Sequence, residues 1–194
     1  MSHYFTNDDI KSNEKLIKVK LNNNDYSFYV DSGVFSKKGL DFGTRTLLEN
    51  INTSEISGNV LDFGCGYGPI GIYIAKETNS KVDMLDINKR AISLALKNAK
   101  LNGVNINIFE SDIYKNVTKK YDYIISNPPI RVGKKTLYEI LFKAHDYLNE
   151  KGKLIIVVNK NQGAKSLIKD LNQKYSVKTI KKNKGFYVIE ATRK

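Results

Sequence analysis

The chain has 194 residues, of which 41% are hydrophobic, a single cysteine, and a formal net charge of +12 at pH 7. Its length suits one compact domain with a full α/β core, and one cysteine excludes both an internal disulfide and a thiol-rich metal site. Because the chain has no apolar run near the ~20 residues that cross a bilayer and no signal-peptide pattern, we predict a cytoplasmic protein without a membrane partner.

The charge excess indicates the kind of partner. Lysine supplies nearly all of the cations, and a compositional bias toward lysine does not explain why acidic residues are fewer. A basic surface favours a polyanion, so we predict nucleic acid as the partner.

Two β segments begin the predicted order of elements. Residues 16–21 and 26–30 have strand-type sequences separated by the polar run Asn-Asn-Asn-Asp, which predicts an antiparallel hairpin. A glycine-punctuated loop then leads into a helix over about residues 44–52. Because this portion is too small for its own core, we divide the chain into residues 1–57, a hairpin and helix packed on the core, and residues 58–194, a ligand-binding domain.

The next segment, residues 60–71, reads V-L-D-F-G-C-G-Y-G-P-I-G. An apolar run breaks into alternating glycines, Gly64, Gly66 and Gly68, and a proline opens a helix, which makes a cradle for a nucleotide-like ligand. The spacing differs from the G-x-G-x-x-G of dinucleotide sites, which disfavours nicotinamide. With Asp62 before it, the loop resembles motif I of class I S-adenosylmethionine (SAM) methyltransferases. The alternative is a tight turn in another α/β fold.

Strands and helices alternate after this loop. Strands are predicted at residues 81–85, 105–109, 121–126 and 153–158, helices at about 69–78, 88–103, 136–149 and 162–175, and a closing hairpin at 177–181 and 186–192. Gly152 is predicted to end the helix at 136–149. The order predicts a Rossmann-like, doubly wound α/β fold: a seven-stranded, mostly parallel sheet with an antiparallel last strand, plus a small N-terminal β-hairpin.

Polar residues follow the first four strands of this sheet, at the edge where open α/β sheets bind ligands. Asp86 follows the second strand, 22 residues after Gly64 and near the ~20 at which a carboxylate accepts ribose hydroxyls. Asp112 follows the third strand, and Asn-Pro-Pro follows the fourth. Two alternatives stay open, because Asp86 can instead complement the dipole of the helix that Asn88 caps, and Asp112 can be a solvated loop residue.

The turn Asn127-Pro128-Pro129-Ile130 is the most specific signal in the chain. Its two prolines lock the backbone, so the Asn127 side-chain oxygen and the Pro128 carbonyl can accept both hydrogens of a planar exocyclic amine. This favours pyramidalisation of the amine and aims its nitrogen lone pair at a sulfonium methyl group, without prior proton removal. The alternative is a Pro-Pro turn that only terminates a strand.

Several of these segments together resemble the small-subunit ribosomal RNA guanine-N2 methyltransferases of the C type. The segments are residues 33–44, 61–71 and 127–134, with Asp86 and Asp112. The resemblance implies SAM as cofactor, a guanine amine as target, and ribosomal RNA or the small ribosomal subunit as partner. The implied catalytic residues are Asn127, Pro128, Pro129 and Ile130. The implied cofactor-binding residues are Asp62, Gly64, Cys65, Gly66, Gly68, Asp86, Ile87, Asp112, Ile113 and Asn127.

Two further groups are expected near the substrate. The resemblance places the first group over the methionine end of the cofactor; its residues are Phe35, Asp41 and Thr44. The second group falls where phosphates of a flipped nucleotide pass; its residues are Arg131, Lys134 and Lys135. A solvated loop is the alternative for the second group.

The chain departs from the family's pattern in two ways. Members are often longer, with a second methyltransferase-like half, and many carry an aromatic residue where Ile130 stands. Two other functions therefore stay open: protein glutamine methylation, which uses the same Asn-Pro-Pro geometry, and non-catalytic RNA binding. We expect no metal, because His145 has no second ligand nearby and Cys65 is interpreted as a small packed residue.

Overall fold

The structure is a computed structural model that describes residues 13–31, 39–128 and 133–194. Its strands are β1 (Lys15–Leu21), β2 (Asn24–Val30), β3 (Asn59–Phe63), β4 (Lys81–Asp86), β5 (Asn107–Glu110), β6 (Tyr121–Ser126), β7 (Leu148–Asn159), β8 (Tyr175–Asn183) and β9 (Phe186–Arg193). Its helices are α1 (Phe42–Asn50), α2 (Pro69–Glu77), α3 (Lys89–Leu101), α4 (Gly133–Lys143) and α5 (Ala164–Leu171). Among these helices, none has the length and apolar character needed to cross a membrane.

The central sheet has seven strands in the order β5-β4-β3-β6-β7-β9-β8. Strands β3 to β7 pair in parallel, and β9 runs antiparallel between β7 and β8. The strand order reverses direction at β3, so a crevice opens at the carboxyl ends of β3 and β6. The predicted fold class, including the antiparallel last strand and the N-terminal hairpin, is confirmed.

Strand β7 shows why the sheet is buried on both faces. Ile155 and Val157 belong to the core shared with α1, α2, α3 and the β1–β2 hairpin, whereas Leu154, Ile156 and Val158 belong to the core under α4 and α5. Successive side chains point to opposite faces of a strand, so a continuous apolar run supplies both layers at once.

Both hairpins turn on two residues with positive φ. In the first, Asn22 (φ 45°) and Asn23 (φ 72°) connect β1 to β2, and in the second Lys184 (φ 43°) and Gly185 (φ 85°) connect β8 to β9. Two such residues make a type I′ turn, whose twist matches the flanking strands. The turns are therefore shorter than the four polar residues that the sequence indicated, since the remaining residues pair within the strands.

The helix predicted over residues 136–149 ends earlier than expected. Helix α4 stops at Lys143, a 3-10 turn follows, and β7 begins at Leu148, which pairs with Tyr121. Gly152 lies in a bend inside β7, where an added Cβ would come 2.9 Å from the Asn149 carbonyl oxygen. Its role as a helix terminator is thus wrong, because strand pairing overrides the helical periodicity.

Candidate active site

The crevice at the carboxyl edge of the sheet collects the residues that follow the first four sheet strands. Parallel pairing places Phe63 beside Leu85, Asp86 beside Glu110, and Asp62 beside Ile125. The segments after β3, β4, β5 and β6 therefore leave the sheet side by side. This is the convergence that alternating strands and helices predicted.

The glycine loop after β3 is tied to β4 by its backbone. The amides of Gly64 and Cys65 both donate to the Leu85 carbonyl oxygen at 2.9 Å. Gly66 has a φ of 56°, which favours glycine, and an added Cβ at Gly64 or Gly66 would meet no atom within 4 Å. The loop thus presents bare backbone to open space, which suits a ligand that lies flat upon it.

Asp62 lies beneath this loop and is fully buried. Its Oδ2 accepts from the Gly71 amide at 2.8 Å, whereas its Oδ1 has no hydrogen-bond partner among the described residues. Burial raises the pKa of Asp62 to about 7, and the charge of Asp86 contributes in the same direction. A Cβ at Gly71 would lie 2.2 Å from the Met84 sulfur, so only glycine lets α2 approach β4 this closely.

Asp86 joins the glycine loop to the start of α3. Its carboxylate accepts from the Gly66 amide at 2.8 Å and from the Asn88 amide at 2.9 Å. Burial raises the pKa of Asp86, against the opposing effect of these backbone donors. Asn88 caps α3 by accepting from the Arg90 amide at 2.9 Å. Each Asp86 oxygen retains a second lone pair, so the predicted ribose role stays compatible with these contacts. Ile87 lies between Asp86 and Asn88 and is half-buried.

The loop after β5 is held in an unusual backbone conformation. Ile113 has a φ of 51°, which is rare for a β-branched residue and is typical of functional sites. Ser111 stabilises the turn, since its hydroxyl donates to the Ile113 carbonyl at 3.0 Å and accepts from the Asn116 amide at 3.1 Å. Asp112 is exposed at the edge of the crevice.

Asn127, after β6, is held by the residues that begin α1. Its Nδ2 donates to the Thr44 hydroxyl at 2.9 Å and lies 3.2 and 3.4 Å from the two carboxylate oxygens of Asp41. Asp41 also caps α1 by accepting from the amides of Gly43 and Thr44 at 3.0 and 3.1 Å. An ionised carboxylate only accepts, so the amide nitrogen must face Asp41 and the oxygen must face away. Within the described residues, no donor engages that oxygen.

The rest of the Asn-Pro-Pro segment is only partly described. Pro128 is buried, and the preceding Ser126 anchors the end of β6 by donating to the Phe63 carbonyl at 2.7 Å. Lys134 and Lys135 are exposed in the first turn of α4. Four predicted site residues lie outside the described residues: Phe35, Pro129, Ile130 and Arg131.

Two residues beside the loop, Asn98 and Tyr67, are not among the site residues predicted from the sequence. Asn98 of α3 is fully buried and donates to the carbonyls of Tyr67 and Tyr29 at 2.8 and 2.9 Å, while accepting from the Tyr29 amide at 2.7 Å. It therefore joins the glycine loop to the N-terminal hairpin. The Tyr67 hydroxyl is buried and has no hydrogen-bond partner in the described structure, and burial raises its pKa. The signal was an asparagine on an otherwise apolar helix face.

The single cysteine, Cys65, is a packed core residue in this arrangement. Burial raises the pKa of the Cys65 thiol well above its usual range, so the thiol stays protonated and packs in the core. In the part of the chain that the structure describes, no group of three or more acidic, histidine or cysteine side chains is arranged to hold a metal ion.

A seven-stranded sheet of this order, with a bare glycine loop and an oriented carboxamide at adjacent strand ends, has the architecture of Rossmann-like methyltransferases. The chain belongs to the methyltransferase small domain family, whose model matches residues 25–190. The resemblance stated from the sequence is thereby confirmed at the level of the family.

Relatives of known sequence fall into two groups. The chain is 42% identical to the uncharacterised protein YbxB of Bacillus subtilis (strain 168), with 97% of each chain covered. It is also 42% identical over 132 residues to ribosomal RNA small subunit methyltransferase C of Vibrio vulnificus (strain CMCP6). That match covers 66% of this chain and 38% of the relative, so this chain spans well under half of the longer enzyme.

Solved structures show the same fold. The 16S rRNA N2 G1207 methyltransferase RsmC of T. thermophilus, in complex with AdoMet and guanosine, matches with a TM-score of 0.84 and 23% identity, over 93% of this chain and 51% of that one. A ribosomal protein L11 methylase from Lactobacillus delbrueckii subsp. bulgaricus matches with a TM-score of 0.69 and 22% identity, over 78% and 79% of the two chains.

Proposed function

We propose that this protein transfers a methyl group from SAM to the exocyclic N2 amine of a guanine in ribosomal RNA. The observation that carries the proposal is the Asn127 amide: Asp41 and Thr44 hold its nitrogen, so its oxygen faces away from them, and no donor among the described residues engages that oxygen. Family membership supports methyl transfer. The names of the V. vulnificus and T. thermophilus relatives support ribosomal RNA, and the guanosine complex of the latter supports the base.

The crevice fits SAM in shape and in polarity. Open space above Gly64 and Gly66 accommodates the cofactor, and the buried Oδ1 of Asp62 is a polar atom with no hydrogen-bond partner in the described part of the chain. When bound, SAM supplies an electrophilic methyl group on a sulfonium. Asp86 would accept the ribose hydroxyls, and Asp112 with the Ile113 amide would contact the adenine.

The protein's own part in the reaction is orientation. A guanine N2 amine is planar and weakly nucleophilic because its lone pair is delocalised into the ring. The Asn127 oxygen and the Pro128 carbonyl each accept one amine hydrogen, which localises the lone pair on nitrogen and directs it toward the methyl donor. These preorganised acceptors also stabilise the positive charge that develops on the nitrogen. The proton leaves after transfer, so no strong base is needed.

We also propose that residues 1–57 position the catalytic amide. Asp41 and Thr44 lie in this segment, and Asn127 lies in residues 58–194. Under this division, the first segment holds Asn127 and the second holds the cofactor and the target.

The test uses labelled SAM with total RNA, isolated ribosomal subunits and a protein extract in parallel. We expect the label in ribosomal RNA as N2-methylguanosine, and its rate of appearance should be far lower with the Asn127→Ala variant. Comparison of bare RNA with subunits identifies the form in which the substrate is recognised. Label in protein, on glutamine side chains, would contradict the RNA assignment, and an absence of label in every fraction would contradict the enzymatic one.

A further inference from the structure

An aromatic and basic surface lies where the β8–β9 turn meets the start of α1. We call it the turn surface, and its residues are Phe42, Phe186, Tyr187, Lys182 and Lys184. The rings of Phe42 and Phe186 lie 5.6 Å apart at 54°, and the Lys184 ammonium is 5.4 Å from the Phe42 ring centre. The Lys182 ammonium is 5.2 Å from the Tyr187 ring centre. Phe42 is the one aromatic among the exposed large hydrophobic residues of the described chain, at 36%.

The turn surface adjoins the candidate active site. Asn183 pairs with Phe186, which also pairs with Asn159, the last residue of β7. Strand β7 runs parallel to β6, so this turn lies at the sheet edge where β6 leads into Asn127. Phe42 directly follows Asp41, whose carboxylate holds the Asn127 amide. A ligand that reaches from the target amine along this edge therefore meets the turn surface next.

The turn surface is held by contacts on both of its sides. Phe42 is the first residue of α1, which Asp41 caps. An added Cβ at Gly43 would come 2.9 Å from the Phe186 ring, so these two elements are in close contact. The β8–β9 turn is anchored by the Lys160 amide, which donates to the Gly185 carbonyl at 2.7 Å. Preorganisation of this kind lowers the entropy lost when a ligand binds.

Among the described residues, no acidic side chain forms an ion pair with the lysines of the turn surface. Lys182 and Lys184 are exposed, as are Lys160 and Lys181 beside them, and none of these four takes part in an ion pair among the described residues. By contrast, Lys153 and Lys178, farther down the same strands, both pair with Glu190. Unpaired cations beside an exposed ring combine phosphate attraction with a stacking face, the two features that bind single-stranded nucleic acid.

We propose that the turn surface binds single-stranded RNA beside the target guanine, with a flanking base stacked on Phe42 and the adjoining phosphates on Lys184 and Lys182. The inference rests on the proposed function for the position of the target guanine. It adds which part of the protein binds the neighbouring nucleotide. Stacking tolerates any base, so this contact contributes to the affinity and the position of the RNA more than to selectivity for a particular base.

The test measures binding of a short single-stranded RNA, containing one guanine, by fluorescence anisotropy without SAM. Phe42→Ala should raise Kd roughly fivefold to a hundredfold, the range for loss of one stacked base, and Phe42→Tyr should restore it. Lys184→Asn should weaken binding and reduce the slope of log affinity against log salt by about one. Asparagine tolerates the positive φ at this position, so the turn is kept. Leu96→Ala, on an exposed face of α3, and Lys81→Gln, at the opposite sheet edge, are the matched controls.

A second RNA, with an abasic site next to the guanine, isolates the stacked base. Wild type should lose as much affinity for this RNA as Phe42→Ala loses for the intact one, and the variant should lose nothing further. Equal Kd values for wild type and Phe42→Ala on the intact RNA would overturn the inference. So would binding of heparin or polyglutamate with the same dependence on Phe42, which would indicate general polyanion or acidic protein binding.

Methyl transfer is scored separately from binding. If wild type methylates RNA but Phe42 has no effect on affinity, the turn surface is excluded and the proposed function stands. If affinity depends on Phe42 and on the flanking base but no RNA is methylated, the RNA surface stands and the proposed function fails.

Discussion

The carboxylate of Asp41 lies 3.2 Å from the amide nitrogen of Asn127, although 86 residues separate the two in sequence. The Thr44 hydroxyl completes this contact, since it donates to Asp41 and accepts from Asn127. Because the amide nitrogen donates to two acceptors, the amide has one orientation, and its oxygen then faces the crevice. Asp41 is therefore a positioning residue for Asn127.

Asp41→Asn tests this role. Asparagine is also a good N-cap, so α1 should persist, but its amide can donate as well as accept and no longer imposes one orientation on Asn127. We expect kcat to fall by about one to two orders of magnitude, less than for loss of an active-site polar group itself. The KM for SAM should change little. Glu49→Gln, an exposed change on the same helix, is the control. The double variant with Asn127→Ala should be no slower than Asn127→Ala alone; additive losses would mean that Asp41 acts independently.

Asn127→Ala removes the acceptor and should lower single-turnover methyl transfer by roughly two to three orders of magnitude. SAM affinity should remain near wild type, because the glycine loop and Asp86 are untouched. Rates near wild type would mean that the Asn-Pro-Pro turn only ends a strand.

Asn127→Asp gives a pH-dependent outcome that follows from Asp41. Two carboxylates at this separation cannot both ionise, so one takes a proton at a pKa above its usual range. When the two carboxyl groups share one proton, they provide one hydrogen-bond donor and one acceptor, as Asn127 and Asp41 do in the wild type. We expect partial activity at low pH that declines as pH rises, relative to wild type at each pH. In the double variant Asp41→Asn with Asn127→Asp, the amide and the carboxylate exchange places, and activity should decline less steeply as pH rises. A pH profile identical to that of Asn127→Asp alone would mean that Asp41 does not orient the side chain at position 127.

Asp86→Ala should weaken SAM binding about tenfold or more, as measured by calorimetry, because it removes both the proposed ribose acceptor and the contact to the Gly66 amide. A SAM analogue without ribose hydroxyls separates the two effects. Wild type should bind this analogue more weakly than SAM, whereas the variant should bind both alike. Asp146→Ala, exposed and remote from the crevice, is the control. If the variant still prefers SAM over the analogue, Asp86 does not bind the ribose.

The raised pKa of Asp62 predicts that the stability of the ligand-free protein depends on pH. Its pKa is about 7 when folded and near 4 when unfolded, so between these values the folded state binds more protons. The free energy of unfolding should therefore fall as pH rises from about 4 to 7, by at most about 1.4 kcal/mol per pH unit, and level off above. Denaturant unfolding of wild type and Asp62→Asn across this range measures the difference. Parallel curves for the two proteins would show that Asp62 does not titrate in this window.

Local sequence was sufficient to predict the glycine loop, the fold class and the sheet edge at which the segments after the first four strands meet. Alternating apolar and glycine positions determine strand, turn and helix over a few residues, and the right-handed crossover then brings successive strand ends together. This is why the sequence alone predicts that residues 62–68, Asp86, Asp112 and Asn127 converge. Their individual roles remain predictions, and those of Phe35, Pro129, Ile130 and Arg131 concern positions outside the described residues.

Only the tertiary structure decided how distant segments complete the site. Asp41 and Thr44 were expected near the cofactor, but nothing in local periodicity indicates that they hold Asn127, or that Asn98 joins the loop to the hairpin. The early end of α4 and the bend at Gly152 likewise follow from pairing with β6. A residue's secondary structure depends largely on its neighbours in the chain, whereas the orientation of a side-chain amide depends on donors and acceptors that only packing brings within hydrogen-bonding distance.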